Sequence, residues 1–168
     1  MMTTGRSIPA TDTTRFLVTV GALADSLGWK IRSFTRDGEF VVVAGLGHDP
    51  SFEQFLWIHG TEAATLRCLL VSRTAVPHDR EGAILELCAR INAGLVFGCS
   101  EYSFEERRIM FRNSVDLSLG PLVKAVESAS ARLLGLGARY AAAIVAVVAG
   151  CSPADAVTNA ESAPQGAG

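Results

Sequence analysis

The side chains able to do chemistry are few and scattered. Cysteines stand at Cys68, Cys88, Cys99 and Cys151. None lies two to four residues from another, so there is neither a zinc-type pair nor a Cys-x-x-Cys redox motif. Three of them sit inside apolar runs, which reads as small buried hydrophobes in a reducing compartment. The histidines are His48, His59 and His78. His48 and His78 fall in expected loops, while His59 ends an expected strand and can face Cys68 on the next one. A His/Cys metal site needs a third and fourth ligand, and none is spaced for it. The same pair is an equally weak basis for a nucleophile and its base. Glu105-Glu106 and Asp37 with Glu39 are the carboxylate clusters, but adjacent residues in a strand or turn point different ways and make no acid/base pair. Gly45-Leu46-Gly47 follows an expected strand, yet a third glycine is missing and Asp49-Pro50-Ser51 replaces the apolar helix of a phosphate loop. These residues predict no catalytic site, no metal and no cofactor, and so a protein that is not an enzyme.

Charge narrows the partners. The 168 residues carry 15 basic and 17 acidic side chains, a formal net charge of −2. Nucleic-acid binding calls for a clustered basic face. The mixed segment Arg107 to Arg112 is adjoined by Glu105 and Glu106 and reads as a half-exposed edge strand. No nucleic-acid partner is expected. Met1 to Ala10 holds no apolar signal-peptide core. The most apolar stretch, Ala141 to Ala149, is far shorter than the ~20 residues that span a bilayer. A cytoplasmic protein without a membrane span is expected.

The elements follow from periodicity. Residues 1–11 lack it and are expected to form a disordered arm. After a cap at Asp12 or Thr13, Phe16, Val20, Leu23 and Leu27 mark one face of a helix that ends at Gly28. Arg36-Asp37-Gly38 predicts a hairpin turn, with the Val-rich Glu39 to Leu46 as its second strand. Glu53 to His59 and Thr65 to Ser72 are two further strands. Pro77 and Asp79 introduce a second helix with Ile84, Leu87, Cys88 and Ile91 as its buried stripe. Leu95 to Ser103 and Phe104 to Asn113 form another strand pair. A third helix runs from near Leu119 to Ala149 on the stripe Leu122, Val126, Ala129, Leu133, Leu136, Tyr140, Ile144 and Val147, with a bend possible at Gly135 and Gly137. Ser152-Pro153 can start one more turn of helix. Residues 158–168 are expected to form a disordered tail. The order α-β-β-β-β-α-β-β-α predicts an α+β fold with an antiparallel sheet and helices packed on it.

Several segments of the second half resemble the YbjN family of bacterial proteins. They are Ala89-Arg90-Ile91-Asn92, Val96-Phe97-Gly98, Met110 to Leu117, Ala138-Arg139-Tyr140 and Val147 to Ala156. The resemblance covers about residues 12–157. It implies a fold like that of the type III secretion chaperones, which are small acidic homodimers that hold a segment of a secreted protein. Proteins of the family are described as sensory-transduction regulators or as chaperones. It implies no catalytic residues, since the family has none established. One departure is the second hairpin turn, where Glu105-Glu106-Arg107-Arg108 replaces a short Asp-Gly-like sequence.

What remains is a surplus of apolar surface. Tyr140 to Pro153 carries no charge, and Leu134, Ala141, Val145 and Val148 make a second apolar stripe about 100° round from the first. That stripe packs internally or meets a dimer mate or client. Phe55 and Trp57 share one face of a strand whose other face is also apolar, which fits either a strand covered on both faces or an exposed aromatic groove for a client peptide. The expected function is a non-enzymatic protein-binding module, chaperone-like or regulatory. It is expected to act as a homodimer that masks apolar segments of a protein partner through Phe55, Trp57, Tyr140, Val145 and Val148. The alternative is a regulatory domain sensing a small ligand in a cavity between the sheet and the last helix, with Gly135 and Gly137 letting that helix move.

Overall fold

The computed structural model describes residues 10–60 and 64–163, with residues 10–12 described by their backbone alone. Helix α1 (Ala10–Ser26) is followed by strands β1 (Ile31–Arg36), β2 (Glu39–Gly45), β3 (Phe52–Gly60) and β4 (Thr65–Ala75). After a 3-10 turn at His78–Arg80 come α2 (Glu81–Gly94), β5 (Cys99–Ser103) and β6 (Arg108–Asp116). A second 3-10 turn, Leu117–Leu119, leads into α3 (Leu122–Val148) and α4 (Pro153–Ser162). The strands form one antiparallel sheet in the order β1-β2-β3-β4-β6-β5. This is the α+β architecture expected from the order of elements.

Local chemistry explains the joints. Asp37 (φ 50°) and Gly38 (φ 77°) both take left-handed backbone, the two-residue turn whose twist suits a hairpin. Gly28 (φ 69°) ends α1 as expected, and the Trp29 amide closes the cap on the Ala24 carbonyl at 2.8 Å. The loop after β2 is tied down by side chains. Asp49 accepts from the Ser51 and Phe52 amides at 2.8 Å, and Arg73 donates to the carbonyls of Leu46, Asp49 and Phe52.

The core lies between one face of the sheet and the helices. Phe16 and Val20 of α1, the whole expected stripe of α2, and Val126, Ala129, Leu133, Tyr140, Ile144 and Val147 of α3 are buried in it. Opposite them stand Val42, Phe55, Trp57, Leu66, Cys68, Leu70 and Phe111. The other face of the sheet carries a smaller apolar cluster of Val41, Val43 and Ile58 with Leu56 and Leu69 against it. Arg67 and Arg112 flank this cluster by register and pair with Glu39 and Glu101.

Several expectations change. Helix α1 begins at Ala10, inside the expected arm, and α4 reaches Ser162, beyond the expected start of the tail at residue 158. Residues 1–9 and 164–168, the rest of both expected disordered segments, lie outside the described residues. Helix α4 forms because Ser152 caps the Asp155 amide, Pro153 occupies the first turn, and Ala156 and Val157 bury themselves. Strand β6 is not an edge strand: β5 pairs along its outer side. Leu27 is exposed, since α1 ends before it.

Helix α3 is continuous through Gly135 and Gly137. At 27 residues it is long and apolar enough, by length and composition, to cross a membrane, which Ala141 to Ala149 alone did not suggest. In this fold its apolar stripe lies on the sheet and its neighbouring helices.

Candidate protein-binding surface

Three of the five residues expected at a binding surface lie in the core. Phe55 and Trp57 are 0% exposed, with ring centroids 4.6 Å apart and Trp29 tilted over both. The Trp57 indole Nε1 donates to Ser130 Oγ at 2.8 Å, and Ser130 Oγ donates to the Val126 carbonyl at 2.7 Å. Tyr140 is buried against Phe111, and its hydroxyl donates to Glu161 Oε1 at 3.0 Å. These side chains join the sheet to α3 and α4, so the expected open aromatic groove at Phe55 and Trp57 is filled by the chain itself. The physical reason is that Phe55 and Trp57 point to the helix-covered face of β3.

Val145 and Val148 fare differently. Val148, like Leu134 and Ala141, is partly buried against the core, whereas Val145 is 52% exposed. The second stripe of α3 is therefore largely internal, and Val145 is what it shows to the outside.

Three of the four cysteine thiols are shifted upward. Burial pushes the Cys68 thiol up to about 12, although a hydrogen bond with Ser130 opposes the shift. Burial also raises the thiols of Cys88 and Cys99, and Glu101 adds to the shift at Cys99. A thiol raised in this way stays protonated near neutral pH and is a poor nucleophile or metal ligand. His59 pairs across the sheet with Leu66, not with Cys68, whose partner is Trp57. Its ring stacks on Phe16 at 5.0 Å. Among the described residues, no three His, Cys, Asp or Glu side chains gather as metal ligands would.

One exposed apolar feature is not found by periodicity. Sequence reading starts β5 at Leu95, but the strand begins at Cys99. Asn92 causes the difference. Its side-chain amide donates to the Ser100 carbonyl at 3.0 Å and accepts from the Ser100 amide at 2.7 Å, pinning the start of β5 to the end of α2. The Ser100 hydroxyl adds a bond to the Cys88 carbonyl at 3.1 Å. The chain between must bulge outward. Gly98 allows this with φ 75°, and a Cβ there would stand 2.8 Å from the Arg112 carbonyl oxygen. Val96 and Phe97 are left 85% and 58% exposed.

These two residues edge a groove of about 610 Å³. Its other walls are α3, through Arg132, Gly135, Leu136 and Arg139, and the end of α4, through Ala160 and Ala163. The Arg132 guanidinium lies 4.4 Å from the centre of the Phe97 ring, a cation–π contact that steadies the rim. On α3 the groove lies on one flank of the core stripe, while Leu134, Ala141, Val145 and Val148 lie on the other. Val96-Phe97-Gly98 and Ala138-Arg139-Tyr140, two of the segments that carry the family resemblance, meet here. The usable sequence signal was a pair of large apolar residues directly before a glycine, just past a helix end.

The cavity expected between sheet and last helix is closed where a mobile helix would need it. A Cβ on Gly137 would stand 2.4 Å from Leu70 Cδ2 and 3.0 Å from the Phe52 ring, so helix and sheet are in close contact there.

No curated protein matches the chain in sequence. In structure the chain is similar to one in the "Crystal Structure of the ExsC-ExsE Complex", with a TM-score of 0.40, 14% identity, and coverage of 76% of this chain and 89% of that one. The YbjN family, described as "Putative bacterial sensory transduction regulator", matches residues 17–144. That span takes in the second part of α1, the whole sheet, α2 and most of α3, with Phe97 and Arg139 inside it, and the chain belongs to the YbjN family.

Proposed function

We propose that this chain is a non-enzymatic protein-binding module with a regulatory role, which masks an apolar segment of a partner in the groove between the α2–β5 loop, α3 and α4. One observation carries the reading: Val96 and Phe97 stand 85% and 58% exposed at the edge of a groove of about 610 Å³. Large apolar side chains held outward by built-in local structure, rather than left over on a loose loop, are what a binding surface needs. The family description, a regulator of sensory transduction, is in keeping with a protein that acts by binding. The module works in the bacterial cytoplasm as a homodimer, with the flank of α3 at Val145 as the contact between copies.

The test places a benzoylphenylalanine at position 97 in the native cell and irradiates. The expected result is a discrete light-dependent adduct with one protein. An adduct pattern no different from that of the same probe at Glu127, exposed on α3, would overturn the reading.

A further inference from the structure

The groove carries charge as well as apolar surface. Several other arginines are matched by an acceptor: Arg67 pairs with Glu39, Arg108 with Glu53 at 2.7 Å and Arg112 with Glu101 at 2.6 Å, while Arg73 and Arg80 donate to backbone carbonyls. Arg132 and Arg139 differ. Among the described residues, neither forms an ion pair with a carboxylate, and Arg139 Nε is buried without an acceptor. Glu161, between the lining residues Ala160 and Ala163, is engaged by the Tyr140 hydroxyl instead. Two guanidinium groups without an ion pair among the described residues therefore line one apolar groove, Arg132 against the Phe97 ring and Arg139 5.5 Å from the centre of the Tyr140 ring.

A buried guanidinium nitrogen without an acceptor is costly, and a carboxylate is the partner that satisfies it best. Arg132 and Arg139 are seven residues apart on one helix, about 10 Å along its axis at 1.5 Å per residue. A peptide in extended polyproline II conformation rises about 3.1 Å per residue with three residues per turn, so acids three positions apart lie on one face about 9 Å apart and match that spacing. Leu136 lies between the two arginines along α3, and Phe97 lines the same groove, both apolar.

We propose that this groove takes an extended acidic-apolar segment of a partner protein, with an apolar side chain lodged between Phe97 and Leu136 and carboxylates three residues apart paired with Arg132 and Arg139. The proposal rests on the protein-binding reading and adds the chemistry of what is bound. Charge complementarity selects this occupant over a purely apolar one, because an apolar segment would bury Arg139 further with its Nε still unmatched.

The experiment pans a phage-displayed library of random twelve-residue peptides on the full chain. Enriched peptides are then synthesised with a fluorescein label and titrated by anisotropy against the parent chain, Arg132→Gln, Arg139→Gln and Phe97→Ser. Peptides with paired acids around an apolar residue are expected, binding at least ~10-fold more weakly to each arginine variant and losing affinity as salt rises. Peptides that need Phe97 but show no acid enrichment, and bind the arginine variants as well as the parent, overturn the proposal and leave the protein-binding reading standing. Peptides that bind Phe97→Ser unchanged, or a library that yields none, overturn both. Circular dichroism checks the fold of each variant. Arg132 is exposed, so its variant decides the matter if Arg139→Gln fails to fold.

Discussion

At the scale of single residues, burial decides what the polar and reactive groups do. Cys68 shows this most clearly, with a thiol pushed up to about 12 from the ordinary 9.0 by desolvation. Below pH 9 the folded and unfolded chains both hold that proton, and its contribution to stability is fully present. Between about 9 and about 12 the unfolded chain releases the proton while the folded chain keeps it, so stability falls as pH rises. One such proton is worth about 1.4 kcal/mol per pH unit. Cys88, Cys99, Tyr102 and Tyr140 shift in the same direction and steepen the loss. Urea unfolding at a series of pH values from 8 to 11 is expected to show Cys68→Ala losing stability less steeply than the parent. Parallel slopes would contradict the burial of that thiol.

At the scale of elements, α3 organises the molecule through two contacts. The first is its approach to the sheet at Gly137. Alanine there gains up to ~1 kcal/mol of helix propensity but must displace Leu70 and Phe52, at a typical overpacking cost of about 1–3 kcal/mol. Both neighbours are buried, so the clash is expected to win and Gly137→Ala to be destabilising. Gly135, two residues away, meets nothing within 4 Å, and Gly135→Ala is expected to stabilise by up to ~1 kcal/mol. Opposite signs for the two, measured by thermal melting, check the close contact of α3 with the sheet. The second contact is Arg80, whose guanidinium donates to the Val147 carbonyl at 3.0 and 2.6 Å and reaches the Cys151 carbonyl at 3.5 Å. It caps the negative end of α3 and holds the turn into α4. Arg80→Ala is expected to cost about 1–3 kcal/mol. Hydrogen exchange should show the protection of α4 amides falling before that of β4.

At the scale of the whole molecule, exposed apolar side chains stand beside both flanks of α3, as they do at Val18, Phe104 and Leu119. One flank is the groove at Phe97, and the other shows Val145. If Val145 is where two copies meet, Val145→Asp places a charge in each half of a symmetric contact and should convert a dimer to a monomer. Light scattering after size exclusion measures this. An unchanged mass for Val145→Asp, or a parent chain that is monomeric at high micromolar concentration, would remove Val145 from any interface. The groove is independent of that outcome, because its walls belong to one chain.

The sequence by itself determined the elements and their class. Helical spacing at Ile84, Leu87, Cys88 and Ile91 and along α3 marked the buried faces, and Asp37-Gly38 marked the first turn, because these signals are local and depend only on period and backbone preference. It also carried the family resemblance that the match over residues 17–144 confirms. Only the tertiary structure decided which apolar residues face outward. Alternation along β3 shows that Phe55 and Trp57 share a face, but not that α3 covers it. The apolar run before Cys99 looks like the start of a strand until Asn92, at the end of α2, clamps Ser100 eight residues on and turns Val96 and Phe97 out. The lack of an ion pair for Arg132 and Arg139 among the described residues likewise has no signature in one dimension, since it depends on which carboxylates other elements bring near.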